Sequence, residues 1–136
     1  MNLLNKLKRK KDQEDKHEGM DPNDMAEPND LIGLMRRGWA YHSHGQHEQA
    51  EGDFRNALKL DPESVDANYV LGLVLKAQGR NDDAIGFFDK ALNLIKAGKV
   101  DDKARSAMLR RLSLGHINEL KKGDWDLHTE VWRQVQ

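Results

Sequence analysis

Cysteine is absent from the 136 residues, proline occurs three times, and aromatic side chains make up only 6%. Without cysteine there are no disulfide staples, no thiolate nucleophile and no cysteine-bound zinc. Scarce proline leaves long stretches free to be helical. No apolar run approaches the roughly 20 residues that span a bilayer, and Leu3, Leu4 and Leu7 are too few for the core of a secretory signal. Asn2 stands where a myristoyl signal needs glycine, and the closing Gln-Val-Gln is no prenyl signal, so the expected location is cytoplasmic. Also missing are a phosphate-cradling glycine loop, a nucleophile elbow and a His-Glu-x-x-His pattern. The expectation is therefore a protein that is not an enzyme and uses no cofactor.

Charge of one sign is missing locally. Residues 1–11 carry five basic and no acidic side chains, whereas residues 12–30 carry eight acidic and one basic. From Leu31 onward sixteen basic residues face fifteen acidic ones, which gives no field for gathering nucleic acid. Lys99, Lys103, Arg105, Arg110 and Arg111 make one stretch locally basic, but no aromatic platform is interleaved with them, and no nucleic-acid partner is expected. Three segments follow from this pattern. Residues 1–11 form a basic amphipathic segment, with Leu3, Leu4 and Leu7 on one helical face and cations around it, suited to weak contact with a membrane surface, a partner or the protein's own groove. Residues 12–30 read as a flexible acidic linker, and residues 31–136 as a helical domain.

What is abundant is repetition. Gly38, Gly45, Ala50, Gly52, Phe54, Ala57, Leu58 and Leu60 recur 34 residues later as Gly72, Gly79, Ala84, Gly86, Phe88, Ala91, Leu92 and Leu94. A fixed period of this length is the mark of stacked helical hairpins, each too small to bury its own apolar face. Asn29 or Asp30 caps a helix that Gly45 stops; a second runs from about His47 to Leu60 and ends at Asp61-Pro62. The unit recurs over Val65–Gln78 and Asn81 to about Lys96. After Gly98 about ten extra residues break the period, and 101–122 reads as a long helix with Ala104, Ala107, Met108, Leu112, Gly115 and Leu120 inward. A turn at Lys122-Gly123-Asp124 and a helix carrying Leu127, Val131 and Trp132 complete a degenerate third hairpin, its register open by one residue depending on whether Gly115 or Gly123 is matched.

With Leu34, Arg37, Gly38, Tyr41, Ala50, Phe54, Ala57 and Pro62, and then Asn68, Leu71, Gly72, Leu75, Ala84, Phe88 and Ala91, at their places, the chain resembles the tetratricopeptide repeat family. Arg37 and Asn68 depart from it, standing at usually apolar positions. The resemblance implies an all-α, right-handed superhelix of hairpins at about 31–64, 65–98 and a degenerate 101–136, acting as a protein-interaction scaffold. It also implies a groove lined by the first helix of each hairpin: Ile32, Met35, Trp39, His42 and Ser43, then Asp66, Tyr69, Leu73, Lys76 and Ala77. Met35, Trp39, Tyr69 and Leu73 are its apolar middle, and with His42, Lys76 and Arg110 they are the expected partner-binding residues. The alternative for Trp39 and Tyr69 is a place in the core. A carboxylate clamp of the kind some members use is not expected, since its places hold Met35, Trp39, Val70, Arg110 and Leu114, and only Arg110 has suitable chemistry. Nor is a metal site: His42 and His44 point in different directions and Gly45 separates them from His47. The function expected is an adaptor or assembly factor that holds a helix or peptide. The alternative is a subunit built permanently into a larger complex or homo-oligomer, peripheral to a membrane through the N-terminal segment.

Overall fold

A computed structural model describes residues 2–3 and 20–125 of the chain. Among these, five α-helices follow a single 3-10 turn at Pro22–Asp24: α1 Leu31–Ser43, α2 His47–Leu60, α3 Val65–Ala77, α4 Asn81–Lys96 and α5 Lys103–Lys122. Each packs on the next, and α1 also touches α3, so odd-numbered helices stand side by side with even-numbered ones behind them. The helix ends follow from local chemistry. Asp30 accepts a hydrogen bond from the Gly33 amide, Ser64 one from Ala67, and Asp102 one each from Ala104 and Arg105, so α1, α3 and α5 start on side-chain caps. Within the first two hairpins the chain reverses at Gly45 and Gly79, whose φ values of 75° and 76° lie where an L side chain is strained.

Small residues let the helices meet. Ala50, Ala57, Ala84 and Ala91 are fully buried, and Phe54 and Phe88 lie wholly inside one cluster with Tyr41, Val70, Leu71, Val74, Leu75 and Ile117. Each phenylalanine presses on a glycine of the preceding helix. A Cβ at Gly38 would come within 2.6 Å of the Phe54 ring, and one at Gly72 within 2.7 Å of Phe88. Close approach and ring burial are thus a single device used twice, each ring contributing about 3 kcal/mol of apolar burial.

The third repeat uses it again with a different ring. A Cβ at Gly115 would overlap the Trp125 indole, so Gly115 takes the place of Gly38 and Gly72. Burial supports that register: Ser113, Leu114, Gly115, Ile117 and Asn118 are buried where α3 buries Val70, Leu71, Gly72, Val74 and Leu75. The position expected of Trp132 against the core is filled from Trp125; Trp132, Leu127 and Val131 lie outside the described residues. The expected inward stripe of α5 also shifts. Ala104, Ala107 and Met108 are exposed, while Leu109, Ser113 and Ile117 face inward, because the side of α5 that meets α4 and α3 is about one residue round from the side that holds Trp125.

Residues 20–30, expected to belong to a flexible linker, pack on the first hairpin. Pro22 is fully buried, Asn23 donates a long hydrogen bond of 3.5 Å to Gln46, and Glu27 pairs with Arg37 at 2.7 Å. Asp21 holds the turn by accepting from the Asn23 amide and side chain. Composition hid this, because the segment contributes one proline and a few exact polar partners where sequence patterns register only apolar area. Of the expected amphipathic N-terminal segment, Leu4 and Leu7 lie outside the described residues, and Leu3 is 74% exposed.

Candidate functional site

Three helices build one face. On α1 the side chains at Met35, Trp39 and His42 follow helical spacing, and on α3 Tyr69, Leu73 and Lys76 repeat them. With Gly115 matched to Gly72, the corresponding residues of α5 are Leu112, His116 and Glu119. Met35, Tyr69 and Leu73 are half-buried against the central core, so these expected groove residues also serve the fold. Trp39 differs: 48% of it is exposed, more than a core ring would leave in water. Ile32, two turns earlier, is 68% exposed and extends the apolar strip.

His116, which periodicity alone did not single out, organises the other end. Its ring stacks on Phe88 with centroids 5.0 Å apart and meets Trp125 edge-on at 4.7 Å. Lys76 Nζ lies 3.1 Å from its Nδ1, Tyr69 Oη 3.3 Å from its Nε2, and Lys76 also pairs with Glu119 at 2.9 Å. An ammonium only donates, so Nδ1 accepts and Nε2–H points to the tyrosine oxygen. Burial, reinforced by the Lys76 charge, drives the imidazole down to about 4 against the weaker opposing pull of Glu119. Burial also raises the Tyr69 phenol, while the Lys76 hydrogen bond and charge lower Glu119. At neutral pH this end of the face is thus a neutral imidazole beside a closed ion pair.

At the opposite end, His42 and His47 bring their Nδ1 atoms to 3.1 Å, with Trp39 against His42. Only one of the two nitrogens can carry the shared proton, and burial, helped by the His47 charge, lowers the His42 imidazole. His44 turns away to the Ala40 carbonyl at 2.8 Å. Gly45, expected to separate His47 from His42 and His44, instead turns the chain so that His47 folds back onto His42. Among the described residues no group of three or more His, Cys, Asp or Glu could hold a metal.

Arg110 stands apart from this face. It lines a cleft between α4 and α5 together with Leu92 and Ile95, since in the register set by Gly115 it falls one residue beyond the groove position. Behind the face, the odd Arg37 is explained: its guanidinium grips Asp53 of α2 through two bonds of 2.7 and 2.8 Å and reaches Glu27 of the N-terminal strap. Asp53 is only 4% exposed, and both carboxylates hold the guanidinium charged. Asn68, the second departure, is fully buried and donates to the Ser64 carbonyl at 2.8 Å, tying the start of α3.

A stack of helical hairpins with a half-exposed tryptophan on the face of its odd helices defines a helical-repeat interaction scaffold. The family model for the tetratricopeptide repeat matches residues 35–108. That is more than half of the sequence, and the chain belongs to the tetratricopeptide repeat family. It is 30% identical over 86 residues, 63% of its length, to the small glutamine-rich tetratricopeptide repeat-containing protein 2 of Mycosarcoma maydis. It is also 30% identical over 61 residues, 45% of its length, to a TPR repeat-containing protein of Methanocaldococcus jannaschii. The chain spans 24% and 11% of those two proteins. Membership supports a role in protein–protein interaction. No helix among the described residues is long and apolar enough to cross a membrane.

Proposed function

We propose that the chain is a non-catalytic, cytoplasmic adaptor or assembly factor that holds a helix or peptide of a protein partner along the face of α1, α3 and α5. The observation that carries this reading is Trp39. A tryptophan left 48% exposed within an apolar strip with Ile32 and Met35 forgoes burial that a partner would supply. Leu73 and Tyr69 continue the strip, and the Lys76–Glu119 pair and His42 give its ends polar character that can fix the orientation of the bound segment. Most of the anchoring energy is assigned to Trp39, since Tyr69 and Met35 are already committed to the core.

The test is capture of partners from native extract on the immobilised full chain, compared with Trp39→Ala. Any partner held by the groove should weaken by more than about 1 kcal/mol in the variant while helicity stays unchanged. A partner retained equally by both forms would place the working surface elsewhere.

A further inference from the structure

Gly115 follows Gly72 by 43 residues, nine more than the 34 that separate Gly72 from Gly38. The structure shows where the nine go. Two lengthen α4 to 16 residues against 14 for α2, two lengthen the loop before α5, and five extend the start of α5 ahead of its glycine. The added turns stand opposite each other and form a cleft of about 760 Å³ that the regular spacing of the first two hairpins does not call for. Its floor is apolar, from the half-buried Leu92, Ile95 and Val100, and its rim carries Lys96, Lys103 and Arg110.

Two neighbouring cations are already paired with carboxylates of the chain itself. Lys99 pairs with Glu63 at 3.1 Å, and Arg105 pairs with Asp66, both across to the start of α3. Lys96, Lys103 and Arg110, on the cleft side, make no ion pair with any described residue. Three uncommitted cations around an apolar floor complement a ligand that offers carboxylates and apolar side chains together. A nucleic acid backbone has nothing to bury on Leu92 and Ile95, and no aromatic ring lines the cleft for a base to stack on. A bilayer surface cannot enter a recess between two helices.

We propose that this cleft is a second docking surface, independent of the odd-helix groove, for an acidic amphipathic segment of a partner protein. The groove then selects by apolar anchors and the cleft by charge, on separate faces of one small stack.

The test is fluorescence anisotropy of a labelled synthetic peptide, with leucines at helical spacing and glutamates between them, titrated with the full chain. Lys103→Glu combined with Arg110→Glu should weaken binding by about tenfold or more, and a peptide with lysine in place of glutamate should prefer that variant to the wild type. Lys96→Ala with Lys103→Ala, a milder change, should weaken it by a smaller factor and guards against misfolding of the reversed variant. Trp39→Ala should leave the affinity within about twofold, which separates this surface from the groove. The proposal is overturned if charge reversal has no effect, if Trp39→Ala abolishes binding, or if the peptide binds only after removal of residues 126–136. Binding of anionic vesicles or polyphosphate with the same sensitivity to the variants also overturns it.

Discussion

Asp53→Ala should be among the most damaging single changes outside the apolar core, and the reason lies in what it leaves behind. Arg37 and Asp53 are 12% and 5% exposed at their side chains and share two short bonds, so the pair is mostly removed from solvent. Removing one member of a buried pair costs about 3–5 kcal/mol, chiefly through the charge left without compensation. Here Arg37 keeps Glu27, whose side chain is 82% exposed, so about 2–3 kcal/mol is expected. Glu27→Ala alone should cost far less than Asp53→Ala, because that carboxylate is well solvated. Replacing Arg37 and Asp53 together by leucine and alanine should restore most of the loss, since no charge is then stranded. Urea melts followed by circular dichroism give these differences as shifts of midpoint at constant slope, and the double-mutant cycle isolates the coupling. Equal costs for Asp53→Ala and Glu27→Ala, or a coupling near zero, would refute the argument.

The exposed Gly52 and Gly86 have open space where a Cβ would stand, so Gly52→Ala and Gly86→Ala should each raise stability by about 1 kcal/mol, read from the same melts. Ala50→Trp or Ala84→Trp should unfold the stack, seen as lost ellipticity, because both alanines are fully buried between touching helices. Lowering the pH should destabilise the fold through His116, whose value of about 4 lies below the ordinary 6.5. As pH falls the unfolded chain takes up this proton first, so stability is full above about 6.5 and declines towards about 4. Allowing for the ring's half exposure, the loss is on the order of 1–2 kcal/mol, and His116→Phe should flatten that part of the pH profile.

The hairpins were legible because they rest on repetition: the paired glycines, alanines and phenylalanines declare both helix spacing and close approach, and Asp30 and Gly45 mark the ends of α1. What remained hidden depends on contacts without a period. Arg37 looks misplaced until Asp53, 16 residues away, and Glu27, 10 residues away, are brought to it. His116 is one histidine on a helix until Phe88, Tyr69 and Lys76 surround it. The third register was ambiguous because Trp125 reaches Gly115 by a shorter route than Phe54 or Phe88 take to their glycines, so counting residues to an aromatic misleads.

Hydrogen exchange of the full chain with and without a captured partner tests the central claim most directly. Peptides covering Ile32 to His42 and Tyr69 to Lys76 should gain protection on binding, while those covering the outer positions Gly52 and Gly86 should not. Protection confined to α2 and α4, with α1 and α3 unchanged, would contradict the assignment of the groove as the binding surface.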